Sequence, residues 1–220
     1  MLAAASIRKN AERLLASLPA NVTLVAAVKG RTVEQVREVI LAGVMHIGHN
    51  YVQEAEAMRP LLLESVQWHL IGHLQTNKAK KGVELFDLVE TVDSLRLARE
   101  LDRRCAAVGR TMPVLIEVNS GSEEAKSGVL PENLDELLEG LSVLEHLSVQ
   151  GLMTMGPRLG NPEDSRPYFR ATRSAFERLA RAGLAHVEMR MLSMGMSNSY
   201  LIAIEEGATM VRLGTLLFES

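Results

Sequence analysis

Residues 21–48 read NVTLVAAVKGRTVEQVREVILAGVMHIG, and they set the pattern for the rest of the chain. A short apolar run (22–28) and a second one (45–48) have the length and composition of buried strands. Between them lies an amphipathic helical pattern that opens on Thr32 and Gln35, a capping-box arrangement, and closes on Gly43. A strand, a helix and a further strand in this order are typical of parallel pairing with the helix packed on the sheet.

The same alternation continues along all 220 residues. Strand-like runs occupy residues 22–28, 45–48, 66–72, 85–92, 113–119, 147–155, 186–194 and 208–214. They are apolar on both faces, as expected for a parallel sheet covered by helices. The pattern predicts an α/β fold: a single (β/α)8 TIM-type barrel with an extra N-terminal helix, with residues 1–220 as one domain. The alternative is an open doubly wound sheet, but no G-x-G-x-x-G motif follows the first strand-like run.

Helix boundaries can be predicted from a few residues. Ser94 is a candidate N-cap for a helix that stops at Gly109. Pro131 and Pro167 are suited to the first turns of two later helices, because proline has no N–H to lose there.

Composition limits the class of protein. The chain is 47% hydrophobic and 23% charged, with a net charge of -3, which gives no bulk attraction to nucleic acid or to an anionic membrane. The single cysteine, Cys105, excludes an internal disulfide, is consistent with a reducing compartment, and shares a helical face with Leu97 and Leu101. The N-terminus is charged and so unlike a signal peptide, and we expect a cytoplasmic protein without a membrane span.

In (β/α)8 barrels the functional site gathers at the C-terminal ends of the strands. Lys29 ends the first strand-like run, and its ammonium either snorkels there or serves as a Schiff-base lysine. The second interpretation predicts a phosphate site on the same rim. The loops after the last two strands, LSMGMSNS (192–199) and VRLGT (211–215), are rich in glycine and hydroxyl residues, and their backbone N–H groups suit an anion.

Seven ordered motifs carry a resemblance to a known family. They are LVAAVKGRT, GHNYVQE, WHLIGHLQTNK, VNSGSEEAKSGV, GLMTMGP, LSMGMSNS and AIEEGATMVRLGT, and they extend from about residue 22 to 218. Together they resemble the pyridoxal phosphate homeostasis protein family. The resemblance implies a barrel related to the N-terminal domain of alanine racemase that binds pyridoxal 5′-phosphate (PLP) as a lysine aldimine. It also implies a role in vitamin B6 and amino-acid homeostasis, as a carrier or regulator and not as an enzyme with demonstrated turnover.

The resemblance implies cofactor contacts at Lys29, Asn50, Ser193, Arg212, Gly214 and Thr215. Lys29 matches the aldimine lysine, Ser193 and the Gly214–Thr215 pair match phosphate-binding positions, and Asn50 matches a residue near the cofactor. Arg212 matches the arginine that faces the pyridine nitrogen. Arginine does not give up its proton in a protein, so the ring nitrogen stays largely unprotonated and the cofactor is a weaker electron sink.

The chain departs from the family pattern at three places. Val28 and Gly30 flank Lys29 where the family usually has serine and threonine. His49 stands where glutamate is common, and we expect it to change the charge beside the cofactor. The sequence ends at LLFES, short of the usual tail, which puts contacts made by that tail in doubt.

Two other functions stay open at this point. A PLP-dependent amino-acid racemase needs a tyrosine from a C-terminal domain of a partner subunit, and we expect no such domain because the chain stops after the eighth strand. A Schiff-base aldolase acting on sugar phosphates needs an acid/base carboxylate pair, for which Glu117 and Asp93 are the candidates.

The expected partners follow from the same reasoning. PLP is the expected small-molecule ligand, PLP-dependent apoenzymes are candidate recipients, and the protein is expected to be a monomer that binds no nucleic acid. His69 and His73 have a spacing that aligns metal ligands only on a helix, whereas this stretch has the pattern of a strand. We therefore expect no metal site.

Overall fold

Eight parallel strands close into a barrel in the computed structural model, which describes residues 4–121, 127–157 and 160–219. The strands pair in chain order, and the last one pairs with the first. They are β1 (Thr23–Ala27), β2 (His46–His49), β3 (Gln67–Leu70), β4 (Leu88–Val92), β5 (Met112–Val118), β6 (Leu147–Thr154), β7 (Val187–Ser193) and β8 (Met210–Leu213). This architecture confirms the predicted (β/α)8 barrel.

The helices surround the barrel and connect successive strands. Within the described ranges they are α1 (Ala4–Ser17), α2 (Val33–Leu41), α3 (Val52–Met58), α4 (Ala79–Leu85), α5 (Leu95–Ala107), α6 (Leu134–Leu141), α7 (Arg166–Leu179), α8 (Tyr200–Glu205) and α9 (Thr215–Phe218). The first of them, α1, is the extra N-terminal helix that the sequence predicts. None of these described helices combines the length and the apolarity that crossing a membrane requires.

The local signals for helix starts are mostly confirmed. Thr32 Oγ1 accepts a hydrogen bond from the backbone N–H of Gln35, and the Gln35 side chain accepts one from the Thr32 backbone, which completes the capping box of α2. Ser94 caps α5 in the same way through Leu97 N–H. Pro131 differs, because it opens a 3₁₀ turn (Pro131–Asn133) and α6 begins only where its buried leucine face begins.

Two apolar cores hold the fold together. The larger one lies between the strands and the helices and contains Cys105, which is fully buried in register with its predicted neighbours on α5. Burial raises the pKa of the Cys105 thiol to about 11. The smaller core fills the barrel interior and consists of Val25, Ile71, Leu88, Leu115, Met153 and Met210. This inner core shares the barrel interior with polar side chains, which form the candidate site.

Candidate functional site

The seam between β1 and β8 brings the two ends of the strand order together. Ala26 pairs with Leu213, so the residues that follow these two strands lie side by side at the mouth of the barrel, its C-terminal end. A Cβ atom added to Gly214 would lie 3.3 Å from the Ala27 carbonyl oxygen. The loop that carries Lys29 and the loop that begins at Gly214 therefore converge, although they are far apart in sequence.

Lys29 lies in a tight turn directly after β1. The backbone N–H of Arg31 donates to the Val28 carbonyl at 3.0 Å, and Gly30 occupies the third position of the turn with φ +66°, a conformation that L side chains rarely adopt. The glycine next to the lysine, one of the departures from the family pattern, thus suits this turn. The Lys29 side chain is exposed, and its Nζ is 5.1 Å from the centre of the Tyr51 ring, a cation–π distance.

The loops after β7 and β8 place a hydroxyl next to backbone N–H groups. Ser197 Oγ accepts long hydrogen bonds from Gly214 N–H at 3.3 Å and from Leu216 N–H at 3.4 Å. Gly195 has φ +95°, and a Cβ there would lie 2.6 Å from the Ala203 methyl group, so the loop packs tightly against α8. Residues 194–199 and 214–216 are called the anion-binding loops below, after the role that the sequence predicts for them, because converging backbone N–H groups suit a phosphate group.

Two of the three serines of the LSMGMSNS motif, Ser193 and Ser197, have different surroundings. Ser193 ends β7 inside the barrel and is fully buried, whereas Ser197 lies in the loop above it. The Ser193 hydroxyl donates to Glu90 Oε2 at 2.6 Å and accepts from Arg212 Nη1 at 2.6 Å. The phosphate-binding role predicted for Ser193 stays a prediction. Sequence reasoning overlooked Ser197, although the second serine of the motif was a visible signal.

Arg212 is part of a hydrogen-bonded group inside the barrel. Its Nη2 donates to the Thr154 carbonyl at 2.9 Å, and its Nη1 is 3.9 Å from Glu90 Oε2. Glu90 Oε1 is 2.7 Å from His69 Nδ1, and His69 Nε2 is 2.9 Å from His46 Nδ1. We call this set, with its members on five strands, the buried polar cluster: His46, His69, Glu90, Ser193 and Arg212.

The buried polar cluster contains an oppositely charged pair, Glu90 and Arg212. Burial would raise the pKa of Glu90, but hydrogen bonds from His69 and Ser193 and the charge of Arg212 outweigh burial and keep that pKa below its ordinary value. Burial lowers the pKa of Arg212, and the charge of Glu90 opposes this effect only in part. A guanidinium nevertheless stays protonated in a protein. Burial and the nearby His69 lower the pKa of His46 to about 4. The charges of Glu90 and Arg212 thus offset each other beneath the mouth.

Glu117 has none of this support. It lies two residues after Leu115 on the interior face of β5 and is 3% exposed. Its Oε2 is buried and has no hydrogen-bond partner among the residues that the structure describes. Burial raises the pKa of Glu117 to about 7, with a further increase from Asp93 and a smaller opposing effect from Arg212. A substantial fraction of this carboxyl is therefore protonated near pH 7.

His49 and Asn50 of the GHNYVQE motif have different surroundings. Asn50 lies half-buried beside the mouth, where its backbone carbonyl would be 2.2 Å from a Cβ on Gly72. His49 faces the outer core, stacked on Trp68 at 5.0 Å between ring centres, and burial lowers its pKa to about 4. Within the described structure, neither His49 ring nitrogen has a hydrogen-bond partner. The expectation that His49 alters the charge beside the ligand is thus wrong, because its side chain is neutral and points away from the mouth.

The residues at the mouth fit an aldehyde that carries a ring and a phosphate. They supply a primary amine, backbone N–H groups with long hydrogen bonds, a fixed guanidinium and a buried carboxyl oxygen that no described residue bonds. Residues 122–126 of the VNSGSEEAKSGV motif lie outside the described residues. Nothing in the donor set is inconsistent with PLP, and the orphaned Glu117 oxygen is of the kind that a ligand satisfies.

Comparison with known proteins agrees with this fit. The family model described as alanine racemase, N-terminal domain, matches residues 2–220. The pyridoxal phosphate homeostasis protein of Aquifex aeolicus (strain VF5) is 47% identical over 199 residues, covering 89% of this chain and 85% of that protein.

Solved structures of PipY from Synechococcus elongatus PCC7942 are also similar. The structure without PLP has a TM-score of 0.91 and 36% identity, and the structure with PLP bound has a TM-score of 0.88 and 35% identity. Each comparison covers 96% of this chain and 99% of the PipY chain.

Proposed function

The chain belongs to the alanine racemase N-terminal domain family, together with the pyridoxal phosphate homeostasis proteins, and we propose that it binds PLP and acts in intracellular PLP and amino-acid homeostasis. The observation that carries this proposal is the seam between β1 and β8, where a lysine and the anion-binding loops meet above a buried arginine. The proposed role is that of a carrier or regulator and not of an enzyme.

Lys29 is the proposed covalent anchor. When bound, PLP supplies an electrophilic aldehyde carbon that condenses with a primary amine, and a ring that accepts electrons. Lys29 offers that amine at the open mouth, on the face of Tyr51. Gly214, Thr215 and Ser197 are the proposed phosphate ligands. The backbone N–H groups of Gly214 and Leu216 make only long hydrogen bonds to the Ser197 hydroxyl, and a phosphate oxygen is a stronger acceptor.

Arg212 is proposed to face the pyridine nitrogen. Its orientation is fixed by Ser193 and by the Thr154 carbonyl, and it keeps its proton, so it can donate a hydrogen bond without transferring charge. A ring held in this way stabilises carbanions poorly, which favours storage over turnover. Ser193 is then a support for Arg212, and Asn50 borders the same mouth.

A borohydride trapping experiment tests the proposal. The protein saturated with PLP is expected to absorb in the visible region, and reduction followed by peptide mapping is expected to label Lys29. Lys29→Ala abolishes the label but retains weaker binding through the phosphate, whereas Lys9→Ala, an exposed lysine on α1, changes neither. A colourless mixture, or equal labelling of the Lys29→Ala variant, contradicts the proposal.

One observation favours a Schiff-base aldolase as the second candidate. Asp93 raises the pKa of Glu117, so two carboxyl groups lie near each other at the mouth, as an acid/base pair requires. The two functions separate in the same experiment. An aldolase would be trapped on Lys29 by borohydride with a sugar phosphate in the absence of PLP. A coloured protein that interconverts alanine enantiomers at enzyme-like rates would instead be a racemase.

Release of PLP to apoenzymes, a monomeric state and a cytoplasmic location are finer parts of the same proposal. Light scattering at several concentrations tests the oligomeric state. Mixing the PLP-loaded protein with a PLP-dependent apoenzyme and following its reactivation tests the transfer.

A further inference from the structure

The Glu117 carboxyl is a polar group that the proposed cofactor contacts leave unused. It lies on the interior face of the barrel, 3% exposed, with a buried oxygen that no described residue bonds. A buried acceptor or donor without a partner is destabilising, so such groups are usually completed by water or by a ligand. Glu117 is also on the strand opposite the β1–β8 seam in the strand order, where none of the proposed contacts lies.

We propose, on the premise that the protein binds PLP, that Glu117 enters the complex as a neutral acid and donates a hydrogen bond to an acceptor atom of the bound ligand. A neutral carboxyl offers an O–H donor, whereas an ionised one only accepts. The PLP phosphate and phenolic oxygens are acceptors, and they tolerate a neutral acid nearby but are repelled by a carboxylate. Loss of the Glu117 proton therefore weakens binding.

The charges around Glu117 support this protonation state. Asp93, in the loop after β4, faces it with like charge and is itself 3.4 Å from His73 Nδ1. Arg212, on β8, is the facing cation, but Glu90 on β4 already lies 3.9 Å from it and offsets its charge. Met153, on the neighbouring strand β6, lies beside Glu117 in the sheet and is uncharged. Burial and Asp93 thus raise the pKa of Glu117 to about 7, and an anionic ligand raises it further, which favours the neutral acid in the complex.

The test uses pyridoxine 5′-phosphate, which has a hydroxymethyl group in place of the aldehyde and cannot bond covalently to Lys29. Its dissociation constant is measured by calorimetry from pH 6 to pH 9 for the wild type and for Glu117→Gln, whose amide keeps a donor at all pH values. At pH 6 we expect the two proteins to bind within about threefold of each other, because both present a donor. Above neutrality the wild type weakens relative to the variant by about tenfold per pH unit.

Two further measurements define the outcome. Calorimetry at pH 8 in buffers of different ionisation enthalpy measures the protons taken up on binding. The wild type is expected to take up about 1 proton per ligand bound, and Glu117→Gln correspondingly less. Asp93→Asn removes the like charge, so the weakening begins at a lower pH. Glu132→Gln, an exposed control with the same charge change, behaves as the wild type does.

The outcomes distinguish this inference from the function on which it rests. A ratio of dissociation constants that stays constant from pH 6 to pH 9, with equal proton uptake by both proteins, overturns the role of Glu117 while PLP binding stands. Failure of both proteins to bind pyridoxine 5′-phosphate or PLP overturns the proposed function and the inference with it. The proton-uptake measurement on the wild type does not depend on the folding of any variant.

Discussion

Two glutamates lie inside the same barrel and differ in almost everything except burial. Glu90 is 0% exposed and Glu117 is 3% exposed, yet the pKa of Glu90 is lowered and the pKa of Glu117 is raised to about 7. One Glu90 oxygen is hydrogen-bonded to His69 and the other to Ser193, and the Arg212 guanidinium lies 3.9 Å from the second oxygen. Glu117 has an oxygen that no residue of the described structure bonds, and Asp93 is an acidic neighbour. The comparison shows that partners, more than depth, decide whether a buried carboxyl is structural or is available to a ligand.

Removing the Glu90 charge is expected to have the largest effect. Glu90→Gln leaves the Arg212 guanidinium buried without its counter-charge, which typically costs about 3–5 kcal/mol of unfolding free energy. Urea unfolding at pH 7.5 measures this loss. The double variant Glu90→Gln/Arg212→Met should recover part of it, since no uncompensated charge is left. A loss below ~1 kcal/mol would mean that the two charges do not depend on each other.

Glu117→Gln is expected to act in the opposite direction and to depend on pH. The folded-state pKa of Glu117 is about 7, above the value of 4.5 for an unperturbed glutamate, so the folded state binds more protons in this interval. The wild type therefore loses stability as pH rises from 4.5 to 7, by about 3 kcal/mol in total, and the variant does not. Unfolding of both proteins at pH 4.5 and pH 8 measures the difference. Parallel curves would show that Glu117 ionises as freely as an exposed glutamate.

His49 resembles Glu117 in having no hydrogen-bond partner among the described residues, but it is on the side of the sheet where no ligand is proposed. Its folded-state pKa is about 4, below the unperturbed value of 6.5, so the unfolded state binds more protons between these values. Stability falls as pH decreases from 6.5 to 4, by up to about 1.4 kcal/mol per pH unit for this residue. His49→Phe keeps the stack on Trp68 and is expected to be more stable than the wild type at pH 5, by about 2 kcal/mol. Thermal unfolding at pH 5 and pH 7.5 shows whether the gain is confined to acid, as this explanation requires.

The two serines provide the smallest and most selective test. Ser193→Ala removes a hydroxyl from between Glu90 and Arg212 and is expected to lower the unfolding free energy by about 1–3 kcal/mol. Ser197→Ala is expected to leave stability within about 0.5 kcal/mol of the wild type. It should weaken pyridoxine 5′-phosphate binding by about fivefold to tenfold through loss of one hydrogen bond. If Ser193→Ala weakened binding and Ser197→Ala lowered stability instead, Ser193 and not Ser197 would be the phosphate ligand.

Much of the fold could be predicted from the sequence because its signals are local. The capping box at Thr32 and Gln35 and the apolar runs each depend on residues close together in the chain, and the rim followed from the barrel topology. The position of Lys29 at the end of β1 was predictable for the same reason.

The rest of the site depends on contacts across strands. The partners of Glu90 lie on β3, β7 and β8, and no spacing in one strand indicates them. The expected effect of His49 on the charge beside the cofactor was wrong because neighbouring residues of a strand point to opposite faces of the sheet. A glutamate in the apolar runs LFDLVETV and PVLIEVN was nevertheless a visible signal that something polar lies inside.

The pairing of the first strand with the last has a consequence for synthesis on the ribosome. A nascent chain that has emerged only through β7 carries Lys29 but lacks the residues that follow β8, so the proposed PLP site cannot form until β8 closes the barrel. A circular permutant opened between β4 and β5, with the original termini joined, would instead make both halves in one uninterrupted segment. We expect such a permutant to acquire the cofactor earlier in translation, which arrested chains of increasing length would reveal.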